Sequence, residues 1–221
     1  MAPTPEPTRA PLLGELLPVE LMNTVWAGRG HVHDALGTDG EAVAWLRAVG
    51  PRLTETAPGV AAWLATDPPA DLGATADGLR RLRDALRRLA ADATQDPRPA
   101  AASATRDRDA ARAVLNEIVA AAPPWPALDW PPGGEPARTL HVAHPAGPGI
   151  AALLASESIA LLAGEGRSQL RACLAPGCVL YFAKDHNRRE WCSPGCGNRA
   201  RAARHYQRRK SDLAGRDGGN V

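Results

Sequence analysis

The chain has 221 residues, 44% of them apolar and 23% charged, with a formal net charge of +2, which describes a globular protein with one good core and room for a small appended module. No apolar run approaches the length of a bilayer span, and the opening residues MAPTPEPTRAPLL show no apolar stretch behind a basic start, so a cytoplasmic protein with reduced thiols is expected. The charge is unevenly placed: residues 167–210 carry 11 Lys/Arg against two acids, whereas residues 1–166 carry 14 Arg against 20 acids. That split predicts an acidic body joined to a basic module with a different partner.

In chain order, residues 1–11 are Pro-rich and predicted to be disordered. In "LLGELLPVELMNTV" the alternation of Leu17, Val19, Leu21 and Asn23 predicts a short strand. "GEAVAWLRAVGPRL" predicts a helix with Val43, Leu46 and Val49 on its inner face, ended at Gly50-Pro51. "DGLRRLRDALRRLAADA" is the clearest helix, burying Leu79, Leu82, Leu86 and either Leu89 or Ala90. Its Arg80, Arg81, Arg83, Arg87 and Arg88 are expected on the solvated side.

Residues 94–105, "TQDPRPAAASAT", read as a surface connection. "RDRDAARAVLNEIVAAA" predicts a further helix with Ala111, Val114 or Leu115, and Ile118 inward. Recurrent proline argues against regular structure in "PPWPALDWPPGGEP". "ARTLHVAH" reads as a strand and "PGIAALLASESIALLAG" as a mostly buried helix stopped by Gly164. The fold class is therefore α+β: a mainly helical body over residues 12–164 with a few short strands.

Candidates for catalysis in that body are weak. His31, His33 and Asp34 ("HVHD") could bind a metal, but no further ligand follows at metal-site spacing. His141 and His144 flank a strand end, and Trp26, Trp45 and Trp63 are better read as core than as a pocket lining. No H-E-x-x-H, Gly-rich phosphate loop or G-x-S-x-G occurs, so an enzyme is not expected.

All four cysteines, Cys173, Cys178, Cys192 and Cys196, lie in the basic end with spacing C-x4-C-x13-C-x3-C. Two close pairs a dozen or so residues apart suit one structural zinc ion, each pair supplying two thiolates to a tetrahedron. A thioredoxin-like redox site needs C-x-x-C, and four thiolates leave no open position for a catalytic zinc. Val179 to Phe182 is β-prone, Asp185-His186-Asn187 is turn-forming, and Trp191 is expected to cover the metal, which predicts a hairpin between the pairs. Ser193 can cap a helix that starts at Pro194, with Cys196 in its first turn. Knuckle, hairpin and helix together describe a small treble-clef-like finger.

Along the predicted helix to Lys210, Cys196, Ala200, Ala203 and Tyr206 share the side expected to face the metal module. Arg201, Arg204, His205 and Arg208 share another, flanked by Arg199 and Arg209. With Arg188, Arg189, Asn198 and Lys210, these are the candidate nucleic-acid contacts, because a basic helix on a metal-locked base suits phosphates or a major groove.

The segment "RACLAPGCVLYFAKDHNRREWCSPGCGNRARAARHYQRRK" resembles the CGNR-type zinc finger, named for the residues that stand here as Cys196, Gly197, Asn198 and Arg199. Upstream, "LPVELMNTV", "AWLRAVG", the Leu/Arg helix and "LNEIVAAAP" resemble the ABATE domain that precedes this finger, with Asn23-Thr24 at the family's "NT". The resemblance implies a finger over residues 165–210, a flexible tail over 211–221, zinc on the four cysteines, and a stress-induced transcription regulator that meets nucleic acid, with duplex DNA as the expected partner. It leaves open a small-molecule ligand or self-association for the body, and an RNA- or protein-binding role for the finger. Asn23 itself is expected to satisfy backbone groups at the end of its element.

Overall fold

The computed structural model describes residues 10–28, 30–66, 73–98 and 107–217. Their elements run α1 (Leu17–Met22), β1 (Val25–Gly28), β2 (His31–Asp34), α2 (Asp39–Val49), α3 (Pro58–Ala65), α4 (Gly73–Thr94), α5 (Arg108–Ala121), β3 (Trp125–Asp129), β4 (Ala137–His141), α6 (Gly149–Ala163), β5 (Leu170–Ala172), β6 (Tyr181–Ala183) and α7 (Pro194–Asp217). Each strand pairs antiparallel with its neighbour in sequence, giving three two-stranded hairpins: β1–β2, β3–β4 and β5–β6. This is the predicted α+β architecture. The expected disorder of residues 1–11 lies almost wholly outside the described residues.

α4 is the centre of the body and packs against α1, α2, α5, α6 and β5. Its apolar stripe is Leu79, Leu82, Leu86 and Ala90, with Leu89 half-buried, so the 3.6-residue period resolves the choice in favour of Ala90. α5 turns Ala111, Leu115 and Ile118 inward, as its period requires. α6 is apolar on most of its circumference and packs against both α4 and α5. Gly149 opens that helix where a Cβ would stand 1.8 Å from the His144 carbonyl oxygen, so only glycine allows the chain this turn. α2 begins with a capping box, in which Thr38 accepts from the Glu41 N–H and the Glu41 carboxylate accepts from the Thr38 N–H. Its buried face is Ala42, Trp45, Leu46 and Val49, and the predicted Val43 is only half-buried.

Three local expectations are corrected. The segment expected as a strand at Leu17, Val19 and Leu21 is the short helix α1, with Pro18 in its first turn and all six residues buried. Pro18 has no N–H to give a sheet and a φ already suited to a helix start, and a segment buried on every side has no periodicity to betray it. "WPALD", rejected as regular structure, is β3. Its Pro126 faces Leu140, whose N–H goes away from β3 to the Thr56 carbonyl at 2.7 Å, so proline removes no ladder bond there. The last helix does not stop near Lys210: α7 continues through part of the expected tail to Asp217.

The histidines of "HVHD" lie on β2. His33 stacks on Trp26 with ring centroids 5.1 Å apart, and Asp34 accepts from the Leu36 N–H and from Arg83. His141 stacks on Trp125. Trp45 belongs to the main core and Trp26 to a second cluster, so the tryptophans do not line one pocket.

Candidate metal centre and nucleic-acid interface

The finger begins with β5 and β6, whose register pairs Leu170 with Ala183, Arg171 with Phe182 and Ala172 with Tyr181. Cys173 and Cys178 occupy the turn of that hairpin. The Cys173 N–H donates to the Leu180 carbonyl and the Cys178 N–H to the Ala175 carbonyl, both at 2.9 Å, and Gly177 takes the left-handed φ of +71° that closes the knuckle. The sequence predicts the hairpin between the cysteine pairs; instead β6 turns back to the residues ahead of Cys173. A C-x4-C turn with Gly177 can itself join two strands, whereas the return segment is held by Arg189, which donates to the Ala183 carbonyl at 3.0 Å.

The second cysteine pair opens α7. The Cys196 N–H donates to Ser193 Oγ at 3.3 Å, the cap expected from the Ser-Pro pair, and Cys196 lies in the first turn where the helix dipole favours a thiolate. Gly197 lies close under Trp191, where a Cβ would meet Cδ1 at 3.1 Å; the half-buried Trp191 packs beside the cysteine cluster.

The four Sγ atoms lie within 4.8 Å of one another, with 3.8 Å between Cys178 and Cys192 and 3.3 Å between Cys192 and Cys196. A tetrahedron with Zn–S bonds of about 2.3 Å has edges of about 3.8 Å, so the donor set fits zinc in number, softness and spacing. All four are buried free thiols. Without a cation they cannot all ionise: hydrogen bonds from Cys178 and Cys192 hold Cys173 far down, and the same contacts push Cys178 and Cys192 up. A dication replaces those shared protons, which makes metal binding proton-releasing. Arg199 Nη2 donates to Cys196 Sγ at 3.0 Å, the kind of outer-shell bond that orients a thiolate ligand.

The finger is joined to the body by buried polar contacts that sequence reading largely misses. Asn23 satisfies a backbone as expected, but from the C-cap of α1 and across the joint: it donates to the Tyr181 carbonyl and accepts from the Tyr181 N–H, each at 2.9 Å. Arg87, expected in solvent, is fully buried and donates to the Met22 and Val179 carbonyls; Arg83 is buried as well. Residues 99–105 of the expected surface connection lie outside the described residues; its described part brings Arg98 to the knuckle, where Nη1 donates to the carbonyls of Cys173 and Cys178 at 3.0 Å each. Burial alone would raise the Asp96 carboxyl, but bonds from Arg98 and the Tyr181 hydroxyl hold it below its ordinary value. Burial and the Asp96 charge push Tyr181 up to about 12, so its hydroxyl stays a donor. The one available signal for these residues is an Arg/Asp pair, Asp96 and Arg98, in an otherwise small-residue segment.

Of the predicted nucleic-acid contacts, Arg189 turns inward: it pairs with Glu15, lies 5.2 Å from the Phe182 ring centroid and holds the loop, so it belongs to the joint. Arg188 is exposed ahead of α7. Asn198, Arg199, Arg201, Arg204, His205, Arg208 and Arg209 are exposed along α7, with Lys210 next on the same helix. Arg201 donates to Asn198 Oδ1 at 2.6 Å. Cys196 and Ala200 pack inward and Ala203 is half-buried, but Tyr206 is 72% exposed rather than packed on the metal module. The helix has left the body by then. From Arg204 to Arg209 its side chains are exposed.

No helix among the described residues is long and apolar enough to cross a membrane. No curated protein matches the chain. Residues 15–165 match the ABATE family, described as "Putative stress-induced transcription regulator", and residues 169–209 match the CGNR zinc finger. Neither is an enzyme family. With two thirds of its length inside the first match and a closed four-cysteine centre inside the second, the chain belongs to the ABATE family and carries a CGNR zinc finger that holds one structural zinc ion.

Proposed function

We propose that this protein is a cytoplasmic, non-enzymatic transcription regulator that binds duplex DNA through α7, while its body, residues 12–164, senses a ligand or mediates self-association. The observation that carries this reading is the pairing of the arginines. In the body, Arg52, Arg80, Arg81, Arg83 and Arg88 each meet a carboxylate. On α7, Arg199, Arg201, Arg204, Arg208 and Arg209 meet none among the described residues. A polar helix standing clear of its domain, with its cations unneutralised, is suited to a polyanion. Its forked guanidinium groups also match guanine edges in a major groove.

For the body, a cleft of about 450 Å³ lined by Pro51, Pro58, Ala61, Leu64 and Arg47 supports a small, mostly apolar ligand. The exposed Trp125, Leu128 and Trp130 around β3 support self-association.

The test is titration of zinc-loaded protein onto random duplexes over a salt series, beside a matched RNA pool. The double variant Arg201→Ala, Arg204→Ala is expected to keep its zinc and to weaken duplex binding. It should also flatten the slope of log K against log salt by about 0.9 for each phosphate that is no longer neutralised. Unchanged duplex affinity would rule out α7 as the DNA-binding element, and a preference for the RNA pool would redirect the assignment to RNA.

A further inference from the structure

Arg87 is a cation in an unusual position. It is fully buried and, among the described residues, donates only to the Met22 carbonyl at 2.8 Å and the Val179 carbonyl at 3.1 Å and leaves Nε without a partner. Among the described residues no carboxylate forms an ion pair with it, although Arg83, one turn earlier on α4, has both Asp34 and Asp84. Arg98 meets the same knuckle, with Asp96 as its carboxylate. The two guanidinium groups lie 5.4 Å and 5.2 Å from the ring centroid of Tyr181. Two cations thus converge on one turn of the chain, and that turn contains half of the zinc ligands. A buried charge without an ion pair is strongly unfavourable, and Asp84, the carboxylate on its own helix that acts on Arg87, is already paired with Arg83, so further negative charge is to be sought nearby.

We propose that Arg87 and Arg98 are the counter-charges of the zinc centre, so that metal occupancy of the finger sets the strength of its joint with the body. A zinc ion held by four thiolates carries two negative formal charges. Those two and the charge of Asp96 are matched by Arg87, Arg98 and Arg199, the last donating directly to Cys196 Sγ. The carbonyls that accept from Arg98 belong to the ligands Cys173 and Cys178, and the one that accepts from Arg87 belongs to the residue after Cys178. In the loaded protein the buried guanidinium groups face an anion. Without the ion, the metal bonds that fix the knuckle are lost, and with them the fixed positions of the carbonyls that accept from Arg87 and Arg98. The direction of α7 then depends on zinc through the joint as well as through Cys192 and Cys196.

The proposal is tested in the full chain by zinc affinity, measured in competition with a chromophoric chelator, and by thermal unfolding with and without zinc. Arg87→Met and Arg98→Met keep the aliphatic stems and remove the charges. Each is expected to weaken zinc binding about 10- to 100-fold, the usual effect of removing an outer-shell partner, and to shrink the rise in Tm that zinc confers. Arg83→Met is the control: it removes a buried arginine whose carboxylates lie in the body, and is expected to lower Tm equally in both metal states with zinc affinity within about twofold of wild type. If Arg87→Met and Arg98→Met behave as Arg83→Met does, the proposal is overturned. Should Arg87→Met fail to fold, Arg98→Met carries the same measurement, and unchanged zinc affinity there overturns it equally.

Discussion

Replacement of Cys196 by Ser is expected to remove the zinc and unfold the finger with it. Binding of a structural zinc contributes about 10–16 kcal/mol in small zinc modules, whereas a whole domain is stable by about 5–15 kcal/mol. The finger has nothing of comparable size to put in its place: β5 and β6 are three residues each, and the cluster around the cysteines adds only Trp26, Ala35, Ala175, Leu180 and Phe182 as buried neighbours. Metal analysis is expected to find one zinc per chain in the wild type and none in Cys196→Ser. Circular dichroism is expected to lose the helical signal of α7, whose solvent-facing part has no apolar stripe to hold it. The damage should also reach the body, because Leu170 and Tyr181 of the finger belong to the main core. A variant that retains its zinc and its full helical signal would refute the four-cysteine centre.

Asn23→Leu is predicted to have the next largest effect, about 2–5 kcal/mol of lost stability. Asn23 is fully buried, and its amide is the only partner among the described residues for the N–H and C=O of Tyr181 on their outward side. Leucine has nearly the same volume but satisfies neither group, and each buried orphan costs about 1–3 kcal/mol. For a chain of this size that corresponds to a fall in Tm of roughly 5–15 °C. Thermal unfolding of the zinc-loaded variant measures it directly. A change below about 0.5 kcal/mol would mean that the joint does not rest on this amide.

The parts of the molecule that are legible in the sequence are those in which one local rule acts without competition. The cysteine spacing is imposed by a tetrahedron of fixed bond lengths, so it survives any surroundings. The faces of α4 and α5 follow from a 3.6-residue period sustained over three or more turns. The failures share a different cause. α1 is too short and too uniformly buried to show a period, and its Leu17, Val19, Leu21 alternation is incidental to a helix. β3 tolerates Pro126 only because its partner residue bonds to Thr56, a fact about tertiary structure. Arg83 and Arg87 look like a solvated face because arginine usually is one, yet the carbonyls that accept from Arg87 belong to Met22 and Val179, 65 and 92 residues away. Asp96 and Arg98 are hidden in the same way. What periodicity and spacing cannot carry is a side chain that satisfies the backbone of a distant segment, and this joint is built from several of them.

The length of α7 has a mechanical consequence. From Cys196, fixed at the metal, to Arg209 the helix rises about 20 Å at 1.5 Å per residue, and its side chains are exposed from Arg204 to Arg209. It acts as a pointer pivoted at the zinc. A tilt of about 10° at the pivot moves the tip by about 3.4 Å, the rise from one phosphate to the next along a DNA strand. The hydrogen bonds of Asn23, Arg87 and Arg98 lie at the pivot end, so an adjustment there well under an ångström is multiplied along the shaft into a whole step of register at its far end.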